Sequence, residues 1–159
     1  MKSYLIILSA GMLTFAASCA SVEQENDTSA LESRIDSLEA EIAELKTELA
    51  PGLAVLMNQN YDHLKKLEVA INEGNWEYAD FCLHEMDETF EQIVDLHNNH
   101  DELVQPADTQ FKAFIFPTFE QLEEKVDTKD QAGASQLFIE LKTNCSKCHT
   151  ANNHGFIRL

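Results

Sequence analysis

The chain has 159 residues, enough for one domain with a hydrophobic core plus an appendage and too few for two ordinary domains. Its 28 acidic residues outnumber 11 basic ones, and the resulting formal charge of −17 repels phosphate backbones and argues against nucleic-acid binding. The same surplus suits a solvated helical exterior and the steering of a basic partner protein.

Residues 1–18, MKSYLIILSAGMLTFAAS, place a lysine ahead of an apolar run and then small residues, the order of a secretory signal peptide. The apolar run is too short for a membrane span, so an exported mature protein is expected. Ala16, Ala17 and Ser18 directly before Cys19 resemble a bacterial lipobox, which implies a lipidated Cys19 and a periplasmic or outer-membrane-anchored lipoprotein. Ala16 stands where lipoboxes prefer leucine, so ordinary cleavage nearby, with Cys19 an unmodified thiol, stays open. Export also governs the remaining cysteines. Outside the cytoplasm Cys145 and Cys148 are expected to be bonded, and Cys82, between Phe81 and Leu83, is expected to be a buried small hydrophobe.

Residues 19–29 are mostly polar and acidic, and read as a flexible tether. Over residues 30–50, Leu31, Ile35, Leu38, Ile42, Leu45 and Leu49 recur in alternating steps of four and three, the a/d spacing of a coiled-coil helix. Thr28 or Ser29 is the expected N-cap. Isoleucine at a with leucine at d favours a parallel homodimer, although so short a seam is only weakly stable. A single amphipathic helix lying on its own domain is the equal alternative.

Pro51 and Gly52 end that helix, and four helical patterns follow. The first, about 53–72, lines up Leu53, Met57, Leu64, Leu67 and Ile71 and ends at Glu73, Gly74 and Asn75. The second, about 76–97, turns Trp76, Ala79, Leu83, Met86, Phe90 and Ile93 inward. The third starts near Pro106 and carries Phe111, Ile115, Phe119, Leu122 and Val126, with a kink or break expected at Pro117 and room for a pocket beside it. The fourth, from about Lys129, brings Leu137, Phe138 and Leu141 into Cys145 and Cys148. Nothing alternates with a strand period, so an all-α domain is expected over 51–159, most economically an antiparallel four-helix bundle.

Cys145, Cys148 and His149 form a CxxCH motif on the apolar face of the last helix. Two thiols at this spacing meet the two vinyl groups of a haem, and the adjacent imidazole reaches its iron. Zinc held by Cys145, Cys148, His149 and His154 is disfavoured, since adjacent Cys148 and His149 hardly converge on one tetrahedral ion from a helix. A redox disulfide normally opens a helix in an α/β setting, whereas this motif closes one in an all-α chain. A di-iron carboxylate centre lacks its Glu-x-x-His pairs. The rival from another class is a structural lipoprotein with a local Cys145–Cys148 disulfide. Past the motif, His154 lies beyond the expected helix end at Asn152, Asn153 and Gly155, where it suits a haem propionate or a helix cap.

Residues 51–159 resemble the cytochrome c-prime and cytochrome b four-helix-bundle superfamily, whose haem-binding histidine sits near the end of the last helix, here His149. The stretch MNQNYDHLKKLEVA, from Met57 to Ala70, is similar to the first helix of the non-covalent cytochrome b bundle, and that resemblance implies Met57 as second iron ligand. NWEYADFCLHEM and CSKCHTANNHGFI resemble c-prime-like bacterial proteins that pair a tryptophan-led second helix with a C-terminal CxxCH and a downstream HGF. The resemblance implies a covalent haem c, with electron transfer if Met57 ligates and nitric oxide or carbon monoxide binding if that position stays open. Met57 also reads as an ordinary core methionine, and His63, off the stripe of Met57 and Leu64, is a weaker distal candidate. One departure is clear: c-prime proteins carry an arginine near the haem, and the first helix of this domain has none.

Overall fold

The computed structural model describes residues 22–159, with side chains from Thr28 onward except Thr47. The expected signal peptide at 1–18 and Cys19 lie outside the described residues. Among the described residues there are six α-helices and no strand: α1 (Val22–Leu49), α2 (Leu53–Glu73), α3 (Trp76–His97), α4 (Ala107–Phe114), α5 (Phe116–Asp127) and α6 (Gln131–Ala151). None of them is long and apolar enough to cross a membrane. The chain divides into two compact units, Met1–Lys46 and Thr47–Leu159.

In the first unit α1 reaches back to Val22, so most of the stretch expected as a tether is helical. Thr28 and Ser29 lie inside the helix instead of capping it. The physical reason is that the glutamates and glutamine ahead of them are good helix formers, and acidic groups near a helix start are favoured by its dipole. The a/d residues from Leu31 to Leu49 are all exposed.

The second unit packs α2 against α3 and α6, and α5 against α3 and α6, with α4 touching α3, α5 and α6. Most of the expected inward residues form its core: Leu67 and Ile71 of α2, Leu83, Met86 and Ile93 of α3, Phe119, Leu122 and Val126 of α5, and Phe138 and Leu141 of α6 are all buried, whereas Met57, Trp76 and Leu137 are partly buried and pack against it. Phe90 is the aromatic hinge of this core, meeting Phe111, Phe116 and Phe119 edge to face at centroid distances of 5.0, 6.0 and 5.9 Å. Such edge-to-face pairs set the positive ring edge against a negative face. Cys82 is fully buried, and burial raises its thiol pKa.

Local chemistry ends each helix where the core pattern requires. Gly74 takes up a left-handed φ of 68° at the end of α2, and Asn75 N–H then reaches back to Ala70 O at 2.9 Å. This closure satisfies carbonyls that the helix leaves open, and glycine adopts the conformation without strain. Pro117 falls in the first turn of α5, where its missing N–H costs nothing, and the helix breaks just before it at Ile115. Across the unit, Gln131 at the start of α6 donates from Nε2 to Ile71 O at 2.6 Å, tying it to the end of α2. The opposite ends of these two helices, α2 near Met57 and α6 near His149, line one cavity, so α2 and α6 run antiparallel.

Candidate functional site

That cavity has a volume of about 530 Å³ and lies at the C-terminal end of α6. Met57, Cys145, Cys148 and His149 all line it, so the structure brings together the four residues singled out from the sequence as haem-holding. Its apolar walls include Leu64, Met86, Phe90, Phe111 and Ile115. The break ahead of Pro117 contributes Ile115, as expected of a pocket beside the bend. Met57 is partly buried and packs against the core, whereas its neighbour Leu56 takes the fully buried position on that turn. His63 does not line the cavity; its Nε2 lies 4.0 Å from Glu85 Oε2.

The thiols of Cys145 and Cys148 are free and held in the neutral form. Burial, reinforced by the neighbouring Cys148, pushes the Cys145 thiol up to about 12, and burial pushes Cys148 up to about 11. A redox-active CxxC pair works through a thiol whose pKa is lowered, the opposite of what is found here. Burial, and then the nearby His154, holds the His149 imidazole below its ordinary value, against a smaller opposing contribution from the Ile157 backbone. The lowered value favours the neutral imidazole, the form that binds a metal. Its Nδ1 is buried with no hydrogen-bond partner.

The end of α6 is fixed by a polar network that the sequence did not announce. Asn152, buried at 6% exposure, accepts at Oδ1 from Val104 N–H at 2.9 Å and from Gln110 Nε2 at 3.0 Å, and donates from Nδ2 to Cys148 O at 2.8 Å. Cys148 Sγ in turn donates to Gln110 Oε1 at 3.6 Å. The second thiol is thus held by α4 and by the loop before it. Asn153 then adopts a φ of 63°, letting His154 N–H donate to His149 O at 2.8 Å and Asn153 N–H to Thr150 O at 3.1 Å. This paired closure lets the chain turn back. His154 Nδ1 sits 2.7 Å from Asn152 O, and Leu159 N–H donates to Ser146 Oγ at 3.2 Å, so residues 154–159 return over the cavity.

Two further cavity residues were not found by sequence reasoning. Arg158, the one lysine or arginine among the described cavity-lining residues, brings a cation to the cavity from the C-terminal segment. Asn60, one turn after Met57 on α2, is 6% exposed and has neither amide atom paired. A buried amide without a partner carries a desolvation cost that a bound group can relieve. Periodicity could have placed Asn60 on the inner face, because it follows Met57 by three residues.

The residues present suit a haem. The volume is that of a small-molecule or cofactor cavity, the walls are apolar, two neutral thiols sit three residues apart, and an unpaired buried imidazole nitrogen accompanies them. Among the described residues no three or more His, Cys, Asp or Glu side chains gather as a group that could hold a metal ion. A second concavity, of about 670 Å³, is lined by Asp87, Glu91, Asp95, Glu120 and Glu123 together with Phe116 and Phe119. Comparison with known protein families, with curated proteins and with solved structures gave no match to this chain.

Proposed function

We propose that residues 51–159 are a monohaem c-type cytochrome domain of c-prime-like type, an electron carrier built as an antiparallel four-helix bundle in which α4 and α5 together make the third helix. The observation that carries this reading is the single cavity shared by Met57, Cys145, Cys148 and His149. Support for the bundle comes from the closed circuit of neighbours α2, α3, α5 and α6. Cys145 and Cys148 would hold the porphyrin as thioethers, each S–H adding across one vinyl group without need of an oxidant. His149 would be the proximal ligand and Met57 the distal one. When bound, the haem supplies a one-electron ferric/ferrous couple.

The chain's own residues have definite tasks in that reading. Phe90, Phe111 and Leu64 keep water from the cavity, and exclusion of water raises the reduction potential of a buried iron. Arg158 and His154 at the cavity are suited to haem propionates. Gln110 and Asn152 keep Cys148 in place, and Gln110 Oε1 still receives a hydrogen bond from Asn152 once the thiol proton is gone. In the cell the domain would be exported and tethered to a membrane through a lipid on Cys19. The acidic surplus, which includes the cavity bounded by Asp87, Glu91 and Glu123, would attract a basic redox partner.

Asn60 favours a second reading, a five-coordinate haem that binds nitric oxide or carbon monoxide. Its unpaired amide on the α2 wall could donate a hydrogen bond to a diatomic ligand. Both readings share one test. The full chain, made in a host with haem-attachment machinery, should be red, keep its haem after denaturation, and gain the mass of one haem. Cys145→Ser and Cys148→Ser together should abolish this. A colourless wild-type product, or haem lost on denaturation, refutes both readings.

A further inference from the structure

Among the described residues the apolar stripe of α1 lies open: Leu31, Ile35, Leu38, Ile42 and Leu45 are 51%, 53%, 54%, 51% and 45% exposed. Isolated helices of this length gain little from backbone hydrogen bonding alone, so a stripe of six large aliphatic residues asks for a partner surface. The steps of four and three set the register, with Ile35, Ile42 and Leu49 at a and Leu31, Leu38 and Leu45 at d. Arg34 and Glu41 then fall at g, and Glu32, Glu39 and Lys46 at e.

Charge identifies the partner. Arg34 has Ala30, Leu31, Ser37 and Leu38 at its helical neighbour positions, and Lys46 has Ile42, Ala43, Leu49 and Ala50. Neither cation has an acidic residue three or four positions away, so neither belongs to an ion pair within the helix. Each does have a glutamate five positions away, Glu39 for Arg34 and Glu41 for Lys46. A five-residue separation is useless along one helix, but it is the g-to-e relation between two parallel helices in register. Between Leu31 and Leu49 both such relations join opposite charges, and two-fold symmetry doubles each of them.

The antiparallel alternative is poorer. It pairs e with e and g with g; this brings Glu32 to Lys46 and Arg34 to Glu48, but it also sets Glu39 against Glu39 and Glu41 against Glu41 at the middle of the seam, like-charge contacts that the parallel seam between Leu31 and Leu49 does not have. A helix from an unrelated protein would have no reason to complete both of these spacings. We propose that α1 is a parallel, in-register, two-stranded coiled coil with a second copy of this chain, its flanks closed by Arg34–Glu39 and Glu41–Lys46 pairs between copies. The proposal is independent of what fills the cavity of the second unit.

Sedimentation equilibrium on the full chain is the test, with dimer dissociation read across concentration. Glu41→Lys should weaken the dimer about tenfold at low salt, since it turns two attractive pairs into repulsive ones. Glu41→Lys with Lys46→Glu should restore the wild-type value, because the pairs are only exchanged. Leu31→Cys should give a 31–31 disulfide under mild oxidation, identified by the mass of the linked peptide, since position 31 faces its copy only in the parallel arrangement. In the antiparallel one the two would be about 27 Å apart. A chain that stays monomeric, a dimer indifferent to Glu41→Lys, a double variant that does not recover, or a dimer without the 31–31 link would each overturn the proposal.

Discussion

Gln110 Nε2 donates to Asn152 Oδ1 at 3.0 Å, joining two buried side chains that lie 42 positions apart in the chain. Around this bond Asn152 Oδ1 also accepts from Val104 N–H, and Gln110 Nε2 also donates to Gln105 O at 2.7 Å. The network fastens the loop before α4 to the turn of α6 that carries Cys148.

Removing one member should therefore cost more than an exposed amide would. Asn152→Ala leaves Val104 N–H and part of the Gln110 amide unpaired in the interior, and a loss of about 2–4 kcal/mol in unfolding free energy is expected. Gln110→Leu should cost less, because Asn152 keeps Val104 and Cys148. The double variant should be less destabilised than the sum of the two, as expected of contacting residues. Urea titrations of the three variants decide this, and additive losses would show that the two side chains act separately.

Much of the second unit was legible because its signals are local. The period of apolar residues placed α3 at Trp76–His97, and Pro117 marked the break that separates α4 from α5. Gly74 fixed the end of α2. What escaped was non-local. Glutamine and asparagine on a helix are usually solvated, so nothing near Gln110 or Asn152 in sequence says that they meet. Arg158 reaches the cavity only because Asn153 turns the chain back, and a left-handed asparagine is not distinguishable by periodicity from one in a loop. At α1 the error ran the other way. Thr28 and Ser29 carry the chemistry of an N-cap, but residues with good helix propensity precede them and the helix continues through.

Glu123 gives the molecule a pH signature. Burial, and then the charges of Asp87, Asp127, Glu120 and Asp80, raise its pKa above the ordinary 4.5. Between that value and the higher folded one, the folded state holds a proton that the unfolded state has released. Glu123 consequently favours folding less as pH rises through this window, and its penalty is fully present above the raised folded pKa. Glu123→Gln should raise the melting temperature by about 2 °C or less at pH 7 and low salt, with a smaller gain in 1 M salt and none below pH 4. Equal gains at both pH values would mean that the carboxylate charge is not the cause.

Met57 and Asn60 stand one turn apart on the α2 wall of the cavity whose α6 wall carries His149, and they imply opposite behaviour. If Met57 ligates, the proposed iron would be six-coordinate and low-spin, and carbon monoxide would bind only where the thioether has left. Its apparent affinity is reduced by the fraction of time that the site is open. Met57→Ala should produce a high-spin spectrum and bind carbon monoxide about tenfold or more faster, since that restriction is removed. In that open variant Asn60 becomes the polar group facing the new ligand, and its further change to leucine should raise the C–O stretching frequency by removing a hydrogen-bond donor. If wild type is instead already high-spin and takes up carbon monoxide readily, Met57 is core packing. Asn60→Leu should then shift the C–O stretch in the otherwise wild-type protein, and the domain binds gas in place of carrying electrons.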